Sequence, residues 1–255
     1  MLHQLIRFSS IAPLVREVEP GEVLDVGSGT EGIAGWVSER CRVTAVDLEF
    51  DQVVALSGPG KRADEMIVAD ARALPLSDDA FDVTVALDVL EHIEPVDRAR
   101  VLDELVRVTR TRVIVAGPTG QLALDADMRL AGGLRARGVT PPLWLVEHER
   151  NGFPERDEIV ARLERHGAVR TFGNESLRWH DWLFRFEFRR PGFHVSRAAS
   201  RAVATGLRRR GPLVALSRLA LRGVRGPDSP PTYRTIAVLD LRSRSAAPAA
   251  GRPRP

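Results

Sequence analysis

Short apolar runs alternate with helix-patterned runs through the first half of the chain, and this alternation constrains the fold more than any other feature. Residues 23–26, 42–47 (RVTAVD), 66–69, 81–87 (FDVTVAL) and 112–116 (RVIVA) are rich in valine and bounded by glycine or polar residues. Runs of that length and composition are strands buried on both faces. Between the last two, residues 95–108 place Val96, Ala99, Leu102, Leu105, Val106 and Val108 mainly on one helical face, with Pro95 suited to the first turn. Strands separated by helices imply a parallel α/β sheet with helices on both faces. Beyond Gly117 the alternation loosens. Residues 118–150 read as a loop with a short helix, interrupted by Gly132-Gly133 and Pro141-Pro142. Residues 154–166 read as an amphipathic helix stopped by Gly167, residues 168–172 as a sixth strand and 233–241 as a seventh.

The expected organisation is a helical cover over 1–20, an α/β core over 21–173 and a basic helical insertion over 174–232. The last core strand follows over 233–241, with a Ser/Ala/Pro/Gly/Arg tail over 242–255. No apolar run reaches the roughly 18 residues that a membrane span requires. The single cysteine, Cys41, excludes an intrachain disulfide and a thiolate zinc cluster, fits a reducing cytoplasm, and leaves no metal site expected. Net charge is only +3, but its placement is uneven: ten arginines lie from Arg189 to Arg225 with no carboxylate among them. Apolar stripes through Val195, Ala198, Ala202 and through Leu213, Leu216, Ala220 make this insertion a candidate lid. Its arginines suit peripheral contact with an anionic membrane or an acidic substrate.

The first strand runs into Asp25-Val26-Gly27-Ser28-Gly29-Thr30-Glu31-Gly32, with a helix expected over 33–40. Glycines there let the backbone turn sharply and approach a ligand, with N–H groups aimed at it. Twenty residues after Gly27, Asp47 closes the second strand, where a carboxylate accepts the hydroxyls of an adenosine ribose. Gly27, Gly29 and Gly32 also satisfy the dinucleotide pattern G-x-G-x-x-G, so a nicotinamide-dependent oxidoreductase and a non-catalytic cofactor-binding module are competing readings. Asp25 weighs against a dinucleotide: a carboxylate inside the strand end repels pyrophosphate and suits a cationic ligand. Asp70 follows the third strand and Asp88 the fourth, both at the carboxyl edge where ligands of open α/β sheets collect.

Taken in order, VLDVGSGTEG, TAVDLEF, VADARALPLSDDAFDVTVALDVLEHI and TRVIVAGP resemble the class I S-adenosylmethionine-dependent methyltransferases, particularly those with methyltransferase type 11 domains. The resemblance implies a Rossmann-like, seven-stranded, mostly parallel sheet with a reversed last strand, the insertion lying between strands six and seven. It implies S-adenosyl-L-methionine as cofactor and methyl transfer to a small-molecule acceptor. Asp25, Gly27, Ser28 and Gly29 would then cradle the methionine end and Asp47 the ribose. Leu48 would pack on adenine, Asp70 and Ala71 would meet its polar edge, and Asp88 would lie near the methionine moiety. Glu31 departs from the common G-x-G-x-G form, the next glycine being Gly32.

Methyl transfer needs a base only where the acceptor carries a proton at neutral pH. His92 and His148 are the candidates. Neighbours on a helix do not face each other, so Glu91 and His92 are not read as an acid–base pair. Nucleic-acid methylation is disfavoured. Cys41 precedes the second strand, remote from the reacting end, and Asp88-Val89-Leu90 stands where amino-group DNA enzymes carry a Pro-Pro-aromatic motif. No basic patch interleaved with aromatics offers base stacking.

Overall fold

β1 (Glu22–Val26), β2 (Arg42–Asp47), β3 (Glu65–Val68), β4 (Phe81–Leu87), β5 (Thr109–Pro118), β6 (Gly167–Ser176) and β7 (Thr232–Leu241) form one sheet. They are seen in a computed structural model that describes residues 2–29, 32–49, 63–177 and 232–241, the side chains of 2–6 apart. The spatial order is β3-β2-β1-β4-β5-β7-β6. β1 pairs in parallel with β2 and β4, β2 with β3 and β4 with β5, whereas β7 enters between β5 and β6 antiparallel to both. The expected mostly parallel sheet with a reversed last strand is the observed fold. β5 and β6 outrun their apolar cores because β7 supplies partners along residues 112–118 and 167–176.

Side-chain alternation across the sheet makes two hydrophobic layers. On one face Val23, Val83, Val85 and Leu87 pack against Phe8, Ile11, Ala12 and Val15 of α1 (Leu2–Arg16), and Phe8 stacks on Trp36 at 5.5 Å. On the other, Leu24, Val26, Ala86 and Val113 meet Val101, Leu102 and Leu105 of α2 (Arg98–Arg107). Strand order reverses at β1, which has β2 on one side and β4 on the other, so a crevice opens between their carboxyl ends.

Two helical expectations are corrected. Residues 32–37 form successive turns rather than a helix. Gly32 has φ +36°, the Trp36 amide closes a tight turn on the Ile33 carbonyl at 2.8 Å, and Ser38 Oγ accepts from the Arg40 amide, so local turn bonds compete with a helical ladder. Conversely, residues 118–150 hold two helices, α3 (Gly120–Arg135) and α4 (Leu143–Asn151). Gly132 and Gly133 lie inside α3; each costs a helix about 1 kcal/mol relative to alanine, which the buried face of Ala123, Ala126 and Ala131 offsets. Pro142 is the N-cap of α4, and α5 (Arg156–Leu163) begins behind a Glu155/Glu158 capping box. Of the expected insertion over 174–232, residues 174–176 complete β6 and Thr232 opens β7. Its apolar stripes and arginines, like the tail over 242–255, lie outside the described residues. No helix among the described residues is long and apolar enough to cross a membrane.

Candidate active site

β1 delivers Asp25 to the floor of the crevice, 2% exposed, where Oδ2 accepts from the Ile33 amide at 2.6 Å. Burial pushes its carboxyl up to about 6, although that amide and the Arg7 guanidinium pull the other way. The turn above it has no room for a side chain at two of its glycines. A Cβ on Gly27, at φ +67°, would stand 2.4 Å from Val89 Cγ2, and one on Gly32 2.7 Å from Asp25 Oδ2. The Gly27 amide donates to the Val46 carbonyl at 2.8 Å, holding the turn against the end of β2. Ser28, also buried, completes the loop.

Asp47 closes β2 and accepts from the Gly29 amide at 2.8 Å through Oδ2, so the two sides of the crevice are bonded to each other. Oδ1 faces the Glu49 amide at 3.4 Å and keeps acceptor capacity for a ligand hydroxyl. Leu48 beside it is 65% exposed, an apolar surface standing at a ligand edge. Asp70 and Ala71 follow β3 in a turn. The Asp70 carboxylate accepts from the Arg72 amide at 2.8 Å and from the Arg72 guanidinium, which holds it below its usual range. Arg72 also reaches Asp97 at 2.9 Å, tying this turn to the start of α2.

Asp88 leaves β4 at φ +53°, a conformation that costs a non-glycine residue about 1 kcal/mol or more. Its carboxylate meets Arg234 of β7 at 2.9 and 3.1 Å and Arg7 of α1 at 3.1 Å. Arg234 is also bound to Glu175, which is fully buried. Asp88 is thus at the expected edge, but as the centre of a buried ionic network that the sequence reading missed.

The next residues form one 3-10 turn, Leu90–His92, and here the side chains converge. Glu91 is 1% exposed beneath Gly117, and burial, followed by the nearby Asp88 charge, pushes its carboxyl well above the ordinary range. One donor atom from each of Glu91, His92 and His148 lies within 4.8 Å of the other two. The expectation that Glu91 and His92 point apart is overturned: they occupy a single turn roofed by α4 rather than a continuing helix. Burial, then the neighbouring His148, holds the His92 imidazole below its usual value, against the pull of Glu147. His92 Nδ1 contacts Glu147 Oε2 at 2.7 Å, and His148 Nδ1 contacts Asp127 Oδ2 at 2.6 Å. Asp127, buried on α3, also accepts from Tyr233 Oη at 3.0 Å. Arg98 pins the turn to the end of α4, its guanidinium donating to the carbonyls of Leu90, Ile93, Asn151 and Gly152. Glu91 Oε2 and His148 Nε2 are buried with no hydrogen-bond partner among the described residues. Leaving such groups unpaired costs about 1–3 kcal/mol each.

Residues 24–116 match the family model described as "Methyltransferase domain", a span that runs from within β1 to within β5 and includes every cradle residue above. Over these residues the chain is similar to a methyltransferase domain. Beyond the domain, the chain is 30% identical over 173 residues to malonyl-[acyl-carrier protein] O-methyltransferase of Geobacter sulfurreducens, covering 64% of this chain and 62% of that protein. It is 30% identical over 156 residues to demethylmenaquinone methyltransferase of Renibacterium salmoninarum, covering 55% and 64% respectively. The chain therefore spans under two thirds of the length of either relative. A plantazolicin methyltransferase solved with SAH and a triazolic desmethylPZN analog shares the fold at a TM-score of 0.55 and 13% identity, covering 94% of this chain and 86% of that one. In this chain the cradle lies inside the matched span, whereas Asp127, Glu147, His148, Glu175 and Arg234 lie beyond it.

Proposed function

We propose that this protein transfers a methyl group from S-adenosylmethionine to a small-molecule acceptor approaching the ends of β4 and β5. The observation that carries this reading is Asp25, a carboxylate buried under a glycine turn that is itself bonded to Asp47. A pyrophosphate over Asp25 would set a second negative charge against its carboxylate, while the cationic amino end of S-adenosylmethionine supplies an opposite one. The fit extends along the crevice. Gly27, Ser28 and Gly29 leave room for the methionine end, Asp47 has an oxygen for the ribose, Leu48 offers a surface for adenine, and Asp70 and Ala71 stand at its polar edge. Asp88 sits beside the methionine end, its charge already shared with Arg7 and Arg234.

When bound, the sulfonium brings an activated methyl group, so the protein's work is in-line positioning and exclusion of water. His92 and His148 mark the acceptor side, as their proximity to Glu91 and Asp88 supports. The relatives are named for malonyl-[acyl-carrier protein] and demethylmenaquinone, which supports a small or carrier-linked acceptor over a nucleic acid.

Titration calorimetry tests the reading. S-adenosylmethionine or its demethylated product is expected to bind with micromolar affinity, about −8 kcal/mol. Asp47→Ala should weaken that by about 1.5–3 kcal/mol in a folded protein. Binding of NAD, with neither sulfur nucleoside bound, would refute the assignment.

A further inference from the structure

We propose that Glu91, His92 and His148 form a binding site for one divalent transition-metal ion on the acceptor side of the crevice. Three features of the cluster point to a ligand rather than to ordinary core packing.

The first is the donor set. Two imidazoles and one carboxylate, each offering an atom within 4.8 Å of the other two, make a three-ligand face. Nitrogen and oxygen ligands sit about 2.0–2.2 Å from such an ion. Small side-chain rotations therefore close the set, and His92, 33% exposed, is free to make them. Cys41 lies before β2, at the opposite end of the strands, and takes no part in this combination, which suits zinc or iron(II) and leaves coordination positions open.

The second is the outer shell. Each imidazole is tied at Nδ1 to its own carboxylate, His148 to Asp127 and His92 to Glu147. A carboxylate at Nδ1 fixes the proton there and turns the Nε2 lone pair toward the cluster, the arrangement that orients metal-ligating histidines. Tyr233 Oη steadies Asp127 in turn.

The third is what remains unpaired. His148, 5% exposed, and Glu91, 1% exposed, each present a buried polar atom without a hydrogen-bond partner among the described residues. Core histidines and carboxylates are ordinarily satisfied. Here two inward-facing groups lack the same thing, and a single cation supplies it to both. Its place in catalysis rests on the methyl-transfer reading: an acceptor oxygen or nitrogen on an open coordination position would be held beside the donor. The site itself does not depend on that reading.

The test uses the full chain, stripped of metal by chelation. Zinc titration by calorimetry should show one saturable equivalent, and cobalt(II) should give the ligand-field absorption of a protein-bound ion. Glu91→Gln and His148→Ala should each weaken zinc binding at least tenfold and remove the cobalt bands, while His166→Ala, away from the cluster, leaves both intact. Because a buried substitution can unfold the chain, His92→Gln at the partly exposed position is melted alongside; it should keep the wild-type melting temperature and lose the bands. No saturable binding, or binding indifferent to all three cluster variants, overturns the proposal. S-adenosylmethionine titrated into the same proteins separates the two readings: retained nucleoside binding with lost zinc binding assigns the ion to this cluster alone. Zinc binding in a wild-type protein that binds no nucleoside would sustain the metal site and refute the methyl-transfer reading.

Discussion

At the ends of β1 and β2 the crevice presents mainly backbone; at the ends of β4 and β5 it presents mainly side chains. The first region is a glycine turn whose shape excludes a Cβ at Gly27 and Gly32, bonded across to Asp47. The second is assembled from residues far apart in the chain, with His92 and His148 brought together by the four carbonyls that Arg98 holds. A backbone cradle tolerates no change at its glycines but needs little support from elsewhere. A side-chain cluster keeps its shape only while its distant clamps hold, and it is correspondingly open to variation in what it binds.

Substitutions can break that contrast. The largest effect is expected for Gly27→Ala, which places a Cβ 2.4 Å from Val89 Cγ2 at φ +67°. It should cost about 2–4 kcal/mol of stability and at least a hundredfold in cofactor affinity, read by thermal melting and calorimetry. Next is Arg98→Met, which leaves four carbonyls short of a donor. Stability should fall by about 3 kcal/mol while S-adenosylmethionine affinity changes less than threefold, because the clamp serves the other region. A large loss of affinity in folded Arg98→Met would show that the two regions are one unit.

Asp25 sharpens the comparison through pH. Its folded pKa of about 6 lies above the ordinary 3.8, so between those values the folded protein holds a proton that the unfolded chain has released. The associated stability is complete below pH 3.8 and is lost as pH rises through 6, about 3 kcal/mol in all. Asp25→Asn should therefore raise the melting temperature of the ligand-free protein at pH 8, yet weaken S-adenosylmethionine binding tenfold or more. In the wild type, binding near pH 6 should release a proton, seen as a dependence of the calorimetric enthalpy on buffer ionisation. The smallest effect is expected for Asp70→Asn, a few-fold loss of affinity with an unchanged melting curve, since Asp70 stands in a surface turn with Arg72 as its partner.

The same contrast explains what could be read before the structure. Asp25, Gly27, Gly29 and Asp47 are legible because turn geometry needs glycine and because one strand–turn–strand unit carries them all. All five strands of the first half were recoverable from valine-rich runs, and the reversed seventh followed from resemblance. Residues 33–40 misled because Gly35 and Ser38 interrupt what apolar spacing suggested, and the Trp36 and Arg40 amides are taken by local turn bonds. Gly132-Gly133 misled in the opposite direction, a local signal outweighed by the burial of Ala123, Ala126 and Ala131. That error hid Asp127, which read as a loop residue and is a buried partner of His148. Arg98, Glu147, Glu175 and Arg234 carried no local signal, because their partners lie across the fold rather than along it.

Asp88 draws cations from far along the described chain on both sides, Arg7 before it and Arg234 after it, the latter 146 positions away. During synthesis, β1 to β5 can pair as each emerges, but Asp88 waits for the strand that must slot between β5 and β6. Until then both of those strands present raw hydrogen-bonding edges, and the acid at the mouth of the crevice lacks the charge of Arg234. The nascent protein is thus at its most adhesive just before β7 arrives, and a chaperone that shields sheet edges would act at that interval.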